Sequence, residues 1–279
     1  MLSLLPLLLA QPFECDAAHA NKGLVGIRTW PYGAVIAWDY DGSGPAGATD
    51  HIIPALRSWS ELTGLHFVRR TDQVDYINFT NGSVNSSALG RVGGKQNVTI
   101  KDWNWSVVAH EVGHAIGLQH EHQRADRDDY VEIRLENVQP GRESQFEVRA
   151  GLVRGPYDFD SIMHYWEKAW STNGQPTIVA LPPNEDEQGT MGRAFRPSGN
   201  DIATVVSFYG PPEKVFDADF DGDVDDWDLR SFESCARGPG LEHWFDECVI
   251  FDYDDDGDVD QSDFGVLQRC LGLGIEACS

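Results

Sequence analysis

Basic residues are scarce in this sequence. Its 279 residues include 21 Lys and Arg against 45 Asp and Glu, which gives a formal net charge of −24 at pH 7. Nucleic acids and anionic membrane surfaces attract proteins through positive charge, so neither is expected as a partner. The hydrophobic fraction of 41% is nevertheless ordinary for a globular protein and predicts a folded core rather than disorder.

A long apolar run is also missing. The most apolar stretch, residues 1–10, is too short to span a bilayer, so no transmembrane anchor is expected. Its leucines are typical of the apolar part of a secretory signal, although a basic start is lacking and Pro6 interrupts the run. A buried N-terminal strand is the alternative. We interpret residues 1–20 as a signal and pro-segment, which predicts a secreted protein, either extracellular or periplasmic.

Cysteine is almost absent from residues 1–234, which contain only Cys15. The remaining four cysteines lie together near the C-terminus, at Cys235, Cys248, Cys270 and Cys278. They favour disulfides and an oxidising compartment, but the sequence leaves three pairings open. Acidic residues concentrate in the same part: from Glu213 onward there are 20 acidic and 4 basic residues, so −16 of the −24 lies in the last 67 residues. This asymmetry predicts a second module.

What the sequence does contain is a metal-binding motif on a predicted helix. His110 and His114 are about one helical turn apart, so their imidazoles share a face and can reach one metal. Glu111 follows the first histidine, as in the HExxH pattern that places a carboxylate beside the water a metal activates. Gly117 can enter the left-handed region and end the helix, which lets His120 return as a third ligand. Three protein ligands and one open position are typical of catalytic zinc.

Residues 110–128 and 161–165 together resemble the astacin family of metzincin peptidases. The likeness lies in the third histidine and the glycine at metzincin spacing, in Glu121, and in the Ser-Ile-Met-His-Tyr turn. It continues upstream in residues 28–33 and 90–96 and covers roughly residues 21–210. The resemblance implies a zinc endopeptidase that cleaves polypeptides, with one catalytic zinc. Tyr165 would be a fifth, switchable zinc ligand, and Met163 the hydrophobic floor beneath the metal.

In the mechanism that the resemblance implies, Glu111 takes a proton from the attacking water and passes it to the leaving amine. Tyr165 then helps to stabilise the oxyanion. Asp126, Asp158 and Glu121 are candidates to support the site from behind, and in the family the Glu after the third histidine is tied to the mature N-terminus. The alternative is a non-catalytic, calcium-stabilised surface scaffold or binding protein, but such a protein would have no need of Glu111.

Residues near the N-terminus resemble the latency motif of astacin prosegments, in which an aspartate occupies the zinc. Here Asp16 follows Cys15, which replaces the glycine of the family motif, and a thiolate is itself a zinc ligand. Either Cys15 or Asp16 would then hold the enzyme latent until cleavage near Ala20 frees Asn21. The alternative is an unordered leader in which Cys15 has no role.

The predicted fold class is α+β. The resemblance implies a metzincin-type domain with a mostly β N-terminal half, a backing helix, a zinc helix and an irregular C-terminal half. Apolar patterns predict an amphipathic helix over residues 48–62 and strands at residues 34–39, 65–68, 76–79, 91–92 and 98–100. They also predict a zinc helix near 103–116, an irregular segment at 125–160, and a final helix at 200–209 capped by Ser198 or Asn200. The glycines at 90, 93 and 94 favour a bend or a close backbone approach over a regular central strand, and in astacins this segment is the edge strand that pairs with an extended peptide substrate.

A linker is predicted at residues 211–216 and a calcium-binding module at 217–279. Two acidic segments repeat with an offset of 35 residues, and each has Asp at loop positions 1, 3, 5, 7, 9 and 12 and Gly at position 6. Such alternation directs oxygen atoms at one calcium ion, with position 7 contributing its carbonyl. Two calcium ions are therefore predicted, at loops formed by Asp217, Asp219, Asp221, Asp223, Asp225 and Asp228 and by Asp252, Asp254, Asp256, Asp258, Asp260 and Asp263.

An apolar helix is predicted after each loop, containing Trp227, Leu229 and Phe232 in the first case and Phe264, Val266 and Leu267 in the second. With these helices the pair of loops resembles a type I dockerin, a small α module related to EF-hands. That resemblance implies a cohesin-like or cell-surface partner for the module. The chain is otherwise expected to be a monomer.

Overall fold

A computed structural model describes residues 28–31, 35–149, 151, 153–211, 216–219, 221–241, 246–253 and 257–274. Several predictions fall on residues outside these ranges and stay predictions: the signal segment, most of the linker, and the roles of Cys15, Asp16, Asn21, Asp254, Asp256 and Cys278.

A five-stranded sheet forms the N-terminal half. Its strands are β1 (Val35–Tyr40), β2 (His66–Arg69), β3 (Tyr76–Asn81), β4 (Ser86–Ser87) and β5 (Lys95–Ile100), in the order β2-β1-β3-β5-β4. All pairings are parallel except that of β4 with β5. Side chains alternate between the two faces of a strand, so Ile36, Ile77 and Phe79 join one buried cluster with the helices.

Two details of the predicted sheet are wrong. Residues 91 and 92 belong to no strand, because the chain turns through Gly93 and Gly94 at φ of +87° and +66°. The glycine-bearing segment is also not the edge strand: residues 90–94 form the bend that the glycines predict, and β5, which follows it, lies between β3 and β4. The edge on this side is β4, a pair of serines that carries no sequence signal for a strand.

Two helices pack against this sheet. In α1 (Thr49–Ser60), Ile52, Leu56 and Trp59 are buried as predicted, whereas Leu62 lies beyond the helix end and is 50% exposed. In α2 (Trp105–Ala115), the first turn is capped by Asn104, whose side chain accepts a hydrogen bond from the backbone N–H of residue 107. The Trp59 indole N–H donates to the Ala109 carbonyl at 2.9 Å and joins the two helices.

The following segment is irregular, in agreement with the prediction. Its elements are the antiparallel pair β6 (Val131–Ile133) and β7 (Ile178–Ala180) and the 3₁₀ helices Glu121–Gln123, Arg127–Asp129, Leu135–Asn137, Glu143–Phe146 and Glu185–Gly189. Helix α3 (Gly199–Tyr209) follows. Its cap is Ser198 rather than Asn200, in a reciprocal capping box with Asp201.

The C-terminal residues have their own buried cluster, which includes Phe216, Phe232, Phe251 and Leu267. Their elements are β8 (Asp223–Val224), α4 (Asp226–Cys235), the 3₁₀ helix Asp246–Phe251, α5 (Gln261–Cys270) and β9 (Leu273–Gly274). Strand β8 pairs with β9, and a disulfide joins Cys235 to Cys248, which settles the partner of each of these two cysteines. Trp227 was predicted on an apolar face but is 62% exposed.

Among the described residues, none of the helices combines the length and the apolar character that crossing a membrane requires.

Candidate active site

Helix α2 and the turn after it bring three predicted metal ligands together. His110 and His114 lie on α2, and Gly117 follows the helix at φ +109°, with its N–H donating to the His114 carbonyl at 2.9 Å. The chain then returns so that His120 Nε2 lies 3.2 Å from His114 Nε2 and 3.3 Å from His110 Nε2. All three side chains are buried.

The hydrogen-bond partner of Nδ1 shows which ring nitrogen carries the proton in each histidine. His110 Nδ1 lies 2.7 Å from the Ile162 carbonyl, and His114 Nδ1 lies 2.8 Å from the Leu118 carbonyl. A carbonyl only accepts, so Nδ1 donates and the Nε2 lone pair is left for a metal. His120 Nδ1 has the Gln123 side-chain oxygen at 3.2 Å for the same purpose.

This triad fits a zinc ion. Burial lowers the pKa of His114 to about 4 and the pKa values of His110 and His120 well below their usual value, so all three rings are neutral. Three converging lone pairs repel one another unless a cation lies between them. Tetrahedral Zn–N bonds of about 2.0–2.1 Å separate the nitrogens by about 3.3–3.4 Å. The observed separations of 3.2 and 3.3 Å are close to that spacing.

Glu111 and Met163 lie in the same buried region. Glu111 follows His110 on α2 and is fully buried. Met163 is 1% exposed and packs against α2 at Gly113, where an added Cβ would lie 2.6 Å from its Sδ atom. The Met163 carbonyl accepts the Glu121 N–H at 3.1 Å. The turn with Met163 is therefore joined both to the zinc helix and to the residue after His120.

Tyr165 lies beside the triad. Its ring stacks on His122 with a centroid separation of 4.1 Å and lies 4.6 Å from the His120 ring. Its hydroxyl is 3.5 Å from the Gln145 side-chain oxygen. The Gln145 backbone carbonyl also accepts the Gln123 side-chain amide at 2.9 Å. One small network therefore connects Tyr165 to the residue that holds His120.

Two of the three carboxylates predicted to support the site, those of Glu121 and Asp126, bind Arg124, whereas the Asp158 carboxylate accepts the Ser198 hydroxyl instead. Arg124 Nη1 is 2.8 Å from Glu121 Oε1, and Arg124 Nη2 is 2.9 Å from Asp126 Oδ2. The Glu121 carboxylate also accepts the Asp158 backbone N–H at 2.9 Å. Burial raises the pKa of Glu121 to about 7, although Arg124 opposes the rise. These bonds brace the turn after His120. The predicted tie of Glu121 to Asn21 stays a prediction, because Asn21 lies outside the described residues.

Sequence reasoning missed several residues of this site. His122 and Gln123 directly follow Glu121, and their closeness in sequence to the third ligand, His120, could have identified them as site residues. Gln145 has no comparable signal. Asp201, which is buried at the start of α3, accepts the Ser161 hydroxyl at 2.7 Å and the backbone N–H of residue 162 at 2.9 Å. It thereby holds the turn that contains Met163 against α3.

The aspartates of the predicted calcium loops come together only in part. Carboxylate oxygens lie within 4.8 Å of one another in three sets: Asp217, Asp219 and Asp228; Asp221, Asp223 and Asp225; and Asp258, Asp260 and Asp263. The first predicted cage is thus divided between two sets. Asp225 and Asp260 also cap α4 and α5, in reciprocal capping boxes with Asp228 and Asp263. Asp252 is buried and accepts the Gly257 N–H at 3.0 Å.

The fold and the triad define a metzincin-type zinc metallopeptidase. The family model for Astacin, which describes a peptidase family, matches residues 25–210. The chain belongs to the astacin family of zinc metalloendopeptidases.

Two curated relatives and one solved structure illustrate the similarity. Zinc metalloproteinase nas-6 of Caenorhabditis elegans is 33% identical over 198 residues, covering 69% of this chain and 56% of that protein. Human Tolloid-like protein 2 is 37% identical over 196 residues, covering 66% of this chain and 19% of that protein. High choriolytic enzyme 1, a hatching enzyme zinc-protease of the medaka Oryzias latipes, superposes with a TM-score of 0.60 at 32% identity, covering 64% of this chain and 92% of that chain. The chain therefore spans about half of the worm proteinase and a fifth of the human protein.

Proposed function

We propose that this chain is a secreted zinc endopeptidase with Glu111 as general base, and that calcium stabilises its C-terminal module at residues 217–279. The observation that carries the peptidase proposal is the convergence of three neutral imidazole Nε2 atoms at the spacing of a tetrahedral zinc site. Glu111 adjoins the first of them on the same helix. The deciding experiment compares cleavage of a denatured protein by the unaltered chain and by Glu111→Gln. The non-catalytic scaffold is not favoured, because the motif and the convergent triad are both intact.

Bound zinc would supply a Lewis acid that lowers the pKa of water and polarises the scissile carbonyl. Glu111 then accepts the proton of the attacking water and delivers it to the leaving amine nitrogen. Tyr165 donates a hydrogen bond to the oxyanion that forms on the substrate. Its stacking on His122 supports this role, because it keeps the phenol beside the triad.

Tyr165→Phe should lower kcat by about 10²-fold, the effect of removing one oxyanion donor, and should change KM little. The substitution keeps the ring packing and loses only the long hydroxyl contact with Gln145, so the melting temperature should change little. Steady-state kinetics on a fluorogenic peptide measure the effect. Tyr130→Phe is the matched control, since the Tyr130 ring stacks on Tyr157 instead. If both variants turn over alike, Tyr165 has no part in the chemistry.

Secretion is supported by the C-terminal cysteines. Cys235 is bonded to Cys248, and Cys270 is also in a disulfide. Disulfides persist in oxidising compartments and are rare in the cytosol. The resemblance of residues 1–10 to a signal points the same way. The latency proposed for Cys15 or Asp16 rests on the sequence resemblance alone.

The calcium proposal rests on the repeated loops, each of which leads directly into a helix. Burial and the neighbouring Asp228 and Asp219 carboxylates raise the pKa of Asp217 to about 8, and burial raises the pKa of Asp228 to about 6. A divalent cation with oxygen ligands would relieve this repulsion. The dockerin resemblance extends the proposal to a cohesin-like or cell-surface partner for the module.

Without calcium, the folded module should lose stability as the pH rises from about 4 to 8. Both aspartates keep their proton to higher pH when folded than when unfolded, so the folded state binds more protons across this window and stability falls with pH. Calcium should remove most of this loss and bind more tightly at pH 8 than at pH 6. Thermal unfolding of the full chain in EGTA, and calorimetric titration with calcium, measure the two effects.

A variant that combines Asp217→Asn with Asp219→Asn is the control for the calcium experiment. It should bind one calcium ion, at the second loop, instead of two. No calcium uptake at millimolar concentration would contradict the loop assignment. So would a calcium-free module whose stability rises with pH.

A further inference from the structure

A second cleft lies in the irregular half of the protease domain. It encloses about 450 Å³ and is lined by β6, by the 3₁₀ helices Arg127–Asp129 and Glu143–Phe146, and by Leu135, Glu147 and Leu181. The described residues that line it include neither the histidine triad nor Tyr165. Nothing in the proposed peptidase chemistry uses this cleft.

The floor of the cleft is apolar. Val131 and Phe146 are buried, Ile133 and Leu181 are half-buried, and Leu135 is 52% exposed. An exposed leucine beside buried apolar side chains offers surface that another apolar side chain can remove from water. The floor therefore suits an apolar group of a ligand.

The rim of the cleft is acidic. Four carboxylates line it, those of Asp128, Glu132, Glu143 and Glu147. Asp128 is paired with Arg127 and Glu132 with Arg134, so Glu143 and Glu147 carry the negative charge that a ligand meets. Arg127 is already committed, because its Nη1 donates to the His122 and Phe146 carbonyls and its Nε to Asp128. The rim is thus complementary to a cationic ligand. The net charge of −24 of the chain also favours a positively charged ligand.

We propose that this cleft is an exosite for a basic and apolar stretch of the polypeptide substrate. Lys or Arg side chains of that stretch meet the rim carboxylates, and a neighbouring apolar side chain enters the floor. The proposal rests on the endopeptidase activity, since an exosite acts on the chain that the active site cuts. A stretch of alternating basic and apolar residues satisfies both surfaces at once, whereas a free cation or a lipid tail would satisfy only one.

The cleft is close enough to the active site for one substrate to occupy both. Phe146 separates them: its ring centroid lies 6.1 Å from that of Tyr165, which is 4.6 Å from that of His120. An extended polypeptide advances about 3.3 Å per residue, so roughly ten residues suffice to pass around this wall.

The test uses three fluorogenic substrates and the full zinc-loaded chain. The first is a short cleavable peptide. The second carries in addition a ten-residue Gly-Ser spacer and the segment Lys-Leu-Lys-Leu-Lys, and the third has Glu in place of each Lys. The second substrate should show a KM about five- to tenfold lower than the others at low salt, with kcat unchanged. The difference should largely disappear in 1 M NaCl, where charges are screened within about 3 Å.

Variants of the cleft make the test specific. Glu143→Gln combined with Glu147→Gln should abolish the advantage of the basic substrate and leave cleavage of the short peptide unaltered. Leu135→Ser should reduce the advantage at low salt, because it removes the exposed apolar side chain of the floor. The matched control is Asp72→Asn combined with Glu233→Gln, which removes two carboxylates that do not line the cleft.

Equal KM values for the three substrates, or an advantage that survives in the Glu143→Gln, Glu147→Gln variant, would overturn the exosite. Failure of the peptidase proposal is distinguishable, because then no substrate is cut. In that case the fluorescence anisotropy of a labelled Lys-Leu-Lys-Leu-Lys peptide still decides whether the cleft binds it. Loss of that binding in the double variant supports the site, and unchanged binding refutes it.

Discussion

Glu111→Gln should lower kcat/KM for peptide cleavage by about a thousandfold, within the 10²–10⁴-fold range of general acid–base catalysis. The amide has the shape of the carboxylate but cannot accept the proton of the attacking water. Zinc should remain bound, because the triad nitrogens and their Nδ1 partners belong to other residues. The measurements are cleavage of a fluorogenic peptide and atomic absorption on the purified variant.

The matched control is Glu185→Gln, which removes a carboxylate in the 3₁₀ helix Glu185–Gly189. It should cleave like the unaltered chain. A Glu111→Gln variant that binds one zinc and keeps more than about a tenth of the activity would exclude this residue as general base. Such a result would leave the zinc site intact and require another group to hold the proton.

Gly113→Ala should lower the melting temperature, whereas the same substitution at Gly265 should raise it slightly. Alanine in a helix interior is normally more stable than glycine by about 0.5–1 kcal/mol, and at Gly265 an added Cβ meets nothing within 4 Å. At Gly113 the added Cβ would lie 2.6 Å from Met163 Sδ and 3.3 Å from the Trp59 ring. Overpacking of this kind costs about 1–3 kcal/mol.

The same substitution should weaken zinc binding, since Gly113 lies between His110 and His114 and a displaced helix changes the separation of their Nε2 atoms. Melting curves with and without zinc separate the loss of packing from the loss of metal. The two substitutions should be non-additive: Met163→Ala should cost less stability in the Gly113→Ala background than alone, because it removes the atom that the new methyl group meets. A Gly113→Ala variant that melts like Gly265→Ala would show that Met163 does not press on α2.

The contiguous part of the site follows from the sequence alone. The periodicity of a helix places His110 and His114 on one face, and Gly117 allows the chain to turn back towards its third ligand. The same local rules predicted α1, α3, and the helices after the two acidic loops. Each of these features depends on residues a few positions apart, so no knowledge of distant parts of the chain was needed.

Only the tertiary structure decided which distant residues complete the site. Gln145 meets Tyr165, and Asp201 holds the turn that contains Met163, across 20 to 40 residues of sequence. The tertiary structure also decided the edge position of β4, the bond between Cys235 and Cys248, and the division of the first acidic loop. Strand order, disulfide partners and side-chain convergence are set by packing between segments, and the local patterns of either segment do not contain that information.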